Sequence, residues 1–294
     1  MSLSRLTRAK ARSIPAIVVL AAVLAGCSSS GSIPPLTADP TRTYRAGKVV
    51  WRDLLTHDVA GAKKFYASVF GWDFAAGGSD DAAYTTIYHR GIAIGGIVRI
   101  PKQEGAPSVH QWVVSISVPE VKAAVATIEG SGGKVLVEPR SFGDRGQVAV
   151  VQDAGGAVVG LVHSKTGDPE ERGPAVGGWL WSELWTNDPS AAVAQYKSLL
   201  PYDVQTVDAE KLGEYSILKS QGSPRAGIMK NPVPGARSYW MPYVRVDDPA
   251  ATARQAVAQG GKALLEPRDD VRNGTVAIIA DPAGGAVAVQ KYPL

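Results

Sequence analysis

VVWRDLLTHD, residues 49–58, returns 130 positions later as WLWSELWTND, residues 179–188. Both runs alternate in the manner of a strand and both end in an aspartate placed to cap a following helix. Period-two alternation puts Trp51, Asp53, Leu55 and His57 on one face and Arg52, Leu54 and Thr56 on the other. In the second run the first set becomes Trp181, Glu183, Trp185 and Asn187, so a tryptophan and a carboxylate two residues apart share a face twice in the chain.

The repeat extends outward. Residues 51–73 and 181–203 align without a gap with 8 of 23 positions identical, and GGKVLVEPR (132–140) matches GGKALLEPR (260–268) at 7 of 9, which marks an internal duplication. Each copy opens with a strand, then a helix begun by Asp58 or by Asp188 with Pro189 after it, then strand-like runs such as AYTTIYHR and IAIGGIVRI or EYSILKS and AGIMK. The order repeats inside each copy: HQWVVSISV leads into a helix ending near Gly130, and YWMPYVRV into DDPAATARQAVAQGG. The expected fold is α+β, with four βαβββ units paired into domains at 47–163 and 177–293 and a polar linker at 164–176.

Ahead of these lie Arg5, Arg8, Lys10 and Arg12, an apolar run from Ile14 to Leu24, and LAGC ending in Cys27. The pattern is that of an export signal, too short for a mature membrane span. It resembles the lipobox of bacterial lipoproteins, which implies cleavage after residue 26, lipidation of Cys27, a membrane anchor and an extracytoplasmic location. Cys27 is the only cysteine, so no intramolecular disulfide is possible. Residues 27–46, rich in serine, proline and threonine, are expected to form a flexible tether. The chain carries 31 basic and 27 acidic residues, and four of the basic ones lie in the signal, so the remainder is balanced and no nucleic-acid partner is expected.

The W-x-[DE]-L-x-T-x-D strand, the FYASVFGW helix end (65–72) and the DPAG turn (281–284) resemble the vicinal oxygen chelate superfamily of glyoxalases, extradiol dioxygenases and bleomycin-resistance proteins, in particular its tandem glyoxalase-like or hydroxylase subgroup. The resemblance implies two curled, cup-shaped mixed sheets with helices outside, each cup holding a metal or an organic ligand. It also implies where metal ligands would stand. Those positions hold Trp51 and Trp181, Val113 and Met241, and Gly160 and Ala288, with a fourth near Val98 and Met229. Since a divalent metal needs three or four nitrogen, oxygen or sulfur donors, no metal or other cofactor is expected. A displaced site built on His57, His89, His110 and His163 is the alternative.

The ligand-binding candidates are Trp51, Asp53 and Tyr84 in the first copy and Trp181, Glu183, Trp185, Tyr215, Tyr243 and Arg245 in the second, with Arg245 expected to face Glu183. Tryptophan beside a carboxylate in a dry cup suits an aromatic or cationic small molecule. The chain is thus expected to be a monomer that binds such a ligand. Three alternatives stand beside this: an enzyme using Asp53 or Glu183 as acid or base, a glyoxalase-like lyase or oxygenase, and an envelope interaction module whose cups are filled. Asp53 paired with Arg140 or a backbone amide would favour the last.

Overall fold

The structure is a computed structural model in which residues 33–76, 83–102, 109–208 and 214–293 are described; the expected export signal and Cys27 lie outside them. The first copy runs β1 (Val49–Thr56), α1 (Val59–Phe70), β2 (Asp73–Ala76), β3 (Tyr84–His89), β4 (Ile92–Arg99), β5 (Gln111–Ser117), α2 (Val121–Gly130), β6 (Lys134–Ser141), β7 (Gln147–Gln152) and β8 (Val158–His163). The second repeats it as β9 (Trp179–Thr186), α3 (Pro189–Leu199), β10 (Asp203–Asp208), β11 (Glu214–Ser220), β12 (Ser223–Lys230), β13 (Tyr239–Val246), α4 (Pro249–Ala258), β14 (Lys262–Leu265), β15 (Val276–Ala280) and β16 (Ala286–Lys291).

Each copy makes one eight-stranded sheet, ordered β2-β3-β4-β1-β5-β8-β7-β6 and β10-β11-β12-β9-β13-β16-β15-β14. β1 runs parallel to β4 and antiparallel to β5, so the two βαβββ units of each copy meet at their opening strands. The expected mixed α+β cups are therefore present twice. Helix starts follow from the sequence. Asp58 accepts from Gly61 N at 2.9 Å, Asp188 from Ala191 N and Asp248 from Ala251 N at the same distance, and Pro189 and Pro249 enter where no helical N–H is needed.

The helices coat the outer face of each sheet, and those faces pack against each other. One core joins α2 and β5, β7 and β8 of the first copy to α3, β12 and Trp240 of the second; the other joins α1, Leu54 and Trp112 to α4, β15 and β16. A reciprocal clasp closes each. Tyr66 on α1 donates to Asp281 Oδ2 at 3.1 Å and accepts from Trp112 Nε1, while Tyr196 on α3 donates to Asp153 Oδ2 at 3.2 Å and accepts from Trp240 Nε1. The motif residues most repeated in the sequence thus bind one copy to the other, and the concave faces are left pointing away.

The expected flexible tether is packed along its described part. Leu36 is 2% exposed beside Val50, Trp51 and Val162, Thr41 donates to Asp168 O, and Arg45 N donates to the Asp168 carboxylate at 2.6 Å. The cause lies in Ile33 and Leu36, which find apolar partners on the first sheet that serine and threonine do not need. Among the described residues no helix is long and apolar enough to cross a membrane.

Candidate functional site

In the first cup the alternation of β1 turns Trp51, Asp53 and Leu55 inward. Asp53 Oδ1 accepts from Trp51 Nε1 at 3.0 Å and from Tyr84 Oη at 2.9 Å, and Tyr84 Oη also accepts from the same indole N–H at 2.9 Å. This triangle is possible because Gly96, opposite Asp53 on β4, has no side chain: a Cβ there would lie 2.1 Å from Tyr84 Oη. Arg145 arrives from the 3-10 turn at Gly143–Arg145, places its guanidinium 4.0 Å above the Trp51 ring, and donates to Tyr84 Oη at 3.4 Å and to Pro34 O at 2.7 Å. Burial pushes the Asp53 carboxyl up from its ordinary range, only partly offset by Arg145, Tyr84 and Trp51. Burial, then Asp53, likewise pushes the Tyr84 phenol up, so it stays a donor.

This polar corner ends a cavity of about 60 Å³, walled by Leu55, Val98, Val113, Val150 and Val162 and covered by Ile33 and Phe142. Trp51 is 1% exposed and takes no part in the lining; its face is taken by Arg145 and its N–H by Asp53 and Tyr84. It fixes the acid rather than stacking on a ligand. Arg140 does not pair with Asp53 but lies over Phe142 at 4.6 Å.

The second cup is built alike, with its acid engaged from every side. Glu183 is 0% exposed and accepts from Tyr215 Oη at 2.7 Å, Tyr243 Oη at 2.5 Å, Trp185 Nε1 at 3.2 Å and the Arg272 guanidinium. Trp181 Nε1 donates to Tyr215 Oη at 2.9 Å. Burial pulls the Arg272 pKa down, but Glu183 and the two tyrosines outweigh it and leave it raised, so the guanidinium stays charged. Arg272 and Asn273 hold left-handed φ of 48° and 53°, a region that asparagine enters readily and arginine seldom, in the turn that carries the guanidinium to Glu183. Beyond Trp185 an apolar recess of about 480 Å³ runs past Met241 and Ile278 toward His110.

Arg245 corrects the expectation drawn for it. β13 and β9 shift register between Tyr243 and Val244, and Arg245 pairs past the start of β9 with Gly178. Its guanidinium donates to Pro174 O at 2.6 Å, and Arg272 meets Glu183 in its place. Neither cup arginine stands out in the strand and helix patterns of the sequence. Their signal was an arginine four or five residues after each EPR, at Arg145 and Arg272.

The histidines do not assemble a metal site. His57 and His110 rings lie 4.5 Å apart, with His110 Nδ1 against Thr56 Oγ1, while His163 stacks on Tyr44 and His89 lies at Gly177. Among the described residues no three His, Cys, Asp or Glu side chains are grouped to hold a metal ion. One carboxylate beside a guanidinium, with Val113 and Gly160 in the wall, does not fit a divalent cation.

Comparison with known proteins places this geometry. The chain is 33% identical over 254 residues to CFP32 of Mycobacterium tuberculosis, which bears the name of a glyoxylase, covering 84% of this chain and 96% of that protein. It is 28% identical over 275 residues to the anthracycline biosynthesis protein DauV of Streptomyces sp. strain C5, covering 85% and 96%. In fold it is similar to the Mn(II)-bound glyoxalase of Novosphingobium aromaticivorans, with a TM-score of 0.59, 15% identity and coverage of 84% and 83%. A variant of homoprotocatechuate 2,3-dioxygenase from Brevibacterium fuscum gives a TM-score of 0.57, 13% identity and coverage of 87% and 74%. Residues 48–161 match the family profile itself, and with the paired βαβββ cups and the full-length relative they show that the chain belongs to the Glyoxalase/Bleomycin resistance protein/Dioxygenase superfamily.

Proposed function

We propose that the first cup binds a small organic molecule without a metal and that the second cup serves the scaffold. The observation that carries this is the apolar cavity ending at Asp53, Tyr84 and Arg145, set against a second cup whose acid is fully engaged by its own side chains. Arg145 occupies the Trp51 face, so the cation-binding role is already filled from within. The ligand class that suits the remainder is a neutral molecule with an apolar body among Leu55, Val98 and Val113 and a carbonyl or hydroxyl at the polar corner. At about 60 Å³ the cavity takes only a small fragment while Ile33 covers it, so a larger ligand requires residues 33–36 to shift.

The reading extends to location. If Cys27 carries the lipid, Ile33 stands six residues later, a reach of at most about 20 Å. The cover of the first cup would then lie close to a membrane surface, on the extracytoplasmic side, where apolar ligands concentrate. Mass spectrometry of the exported protein tests the anchor: an unlipidated N-terminus removes it.

Binding is tested by thermal shift with a panel of neutral carbonyl and phenolic compounds against the native chain and Val113→Trp, which fills the cavity. Stabilisation of the native chain and none of V113W is expected; equal response of both, or none of the native chain, overturns the reading. A catalytic reading rests on one observation, the Asp53 carboxyl held up by burial beside a cavity, the disposition of a general acid. It requires turnover that Asp53→Asn abolishes while binding persists.

A further inference from the structure

The outward face of β1 carries a cation that the cups do not use. Arg52 is 8% exposed, and among the described residues its one hydrogen-bond partner is Ser182 Oγ, at 3.0 Å from Nη2. Ser182 is the residue that matches Arg52 in the second copy, so the two meet where β1 and β9 face each other across the join of the copies. The Ser182 hydroxyl proton goes to Trp181 O at 2.9 Å, leaving its oxygen to accept. Arg52 Nε is buried with no partner, and the guanidinium carbon stands 4.9 Å from the Trp179 ring. Burial without a counter-charge pushes the Arg52 pKa down to about 9. A buried charge is stable only when paired and fully hydrogen-bonded, and here the anionic half of the pair is missing.

Arg52 does not face solid protein. It lines a cleft of about 430 Å³ between the two copies, bounded by Trp179, Ile94 and the segment 169–175. The cleft carries Lys48, Arg52, Arg172 and Arg225 against two carboxylates, Glu170 and Glu171. Both are already engaged: Glu171 by Arg225 and Arg45, Glu170 by Arg172. Lys48 Nζ is spent on the carbonyl oxygens of Pro169 and Glu170. Those carbonyls leave the Lys48 charge unneutralised, so the excess of positive charge lies on Lys48 and Arg52, and of the two only Arg52 has a planar fork that suits a two-oxygen acceptor.

We propose that this cleft is a second binding site, for a small oxyanion of the carboxylate or phosphate class, with Arg52 as its central ligand and Trp179 as its apolar flank. The site is distinct from the acid of the first cup, since Arg52 and Asp53 lie on opposite faces of one strand.

The test is calorimetric titration of the full chain with benzoate, inorganic phosphate and, as the shape control of opposite charge, benzamidinium. At least one anion binds and benzamidinium does not. Benzoate alone identifies a carboxylate with an apolar tail, phosphate alone a phosphate group, and both a general oxyanion site. Arg52→Met is expected to fold, because it removes an unpaired buried charge, and to weaken anion binding at least about tenfold. Arg52→Lys, which keeps the charge and loses the fork, is expected to fall between. Arg145→Met, in the first cup, should leave anion binding unchanged. Absence of binding by either anion at 10 mM probe on the order of the weakest specific affinities, or equal binding by R52M and the native chain, overturns the proposal.

Discussion

Arg272→Met isolates the claim that the acid of the second cup is held by its own ion pair. The substitution removes the cation that meets Glu183, a carboxylate with 0% exposure, and leaves three neutral donors from Tyr215, Tyr243 and Trp185. Breaking a buried pair from one side costs about 3–5 kcal/mol. The Arg272 side chain is 21% exposed and the remaining donors still solvate the acid, which places the loss near about 2–3 kcal/mol. Because the two helical cores are each shared between copies, the chain is expected to unfold as one unit, and this loss lowers Tm by about 4–6 °C. Adding Glu183→Gln removes the stranded charge and should return stability to within about 1 kcal/mol of the native chain. In the first cup Arg145 donates to Pro34 O and Tyr84 Oη and lies over Trp51 rather than bonding Asp53, so Arg145→Met costs about 1–3 kcal/mol through those contacts. Urea unfolding of the four chains decides it. A loss under about 0.5 kcal/mol in R272M, or a double variant no better than the single one, would falsify the ion-pair account.

Four further outcomes are expected. Tyr66→Phe strands Trp112 Nε1 and one oxygen of Asp281, costing about 1–3 kcal/mol in urea unfolding, and Tyr196→Phe costs the same through Trp240 and Asp153; no loss in either removes the clasp. Gly96→Ala, with its Cβ 2.1 Å from Tyr84 Oη, costs about 1–3 kcal/mol and displaces Tyr84, which a crystal structure of the variant would show. Asp53 has a folded pKa raised by burial, so its contribution is fully present below its unfolded pKa of about 4 and is lost as pH rises through the folded value. Stability of Asp53→Asn relative to the native chain should therefore improve as pH rises above about 4, and a flat difference contradicts the raised pKa. Leu36→Ala, at a 2% exposed position, should cost about 2 kcal/mol and speed ligand entry to the first cup, measured by stopped-flow fluorescence with any compound that the thermal shift identifies.

Local pattern carried much of the site. The alternation of WRDLL and WSELW aimed Asp53 and Glu183 into cups, and the matched strand positions of Tyr84 and Tyr215 brought their hydroxyls onto those acids. The same alternation was silent about Arg145 and Arg272, because each projects from an irregular turn whose direction no periodicity sets. It misplaced Arg245, since a register shift in β13 carries that residue past the strand it was read against. It misread residues 33–46 as well: low apolar content suggested a tether, yet Ile33 and Leu36 suffice to dock the segment once a concave apolar surface exists to receive them.

By itself the sequence determined the duplication, the four βαβββ units, the helix starts and the absence of metal-type side chains where the resemblance places ligands, because these depend on residue identity and short-range spacing. Only the tertiary structure decided that a cavity reaches the acid of the first cup while the acid of its copy is fully engaged by its own side chains, and that Tyr66, Tyr196, Asp153 and Asp281 clasp the copies together instead of serving the cups. Those outcomes turn on which side chains from distant segments arrive at one point.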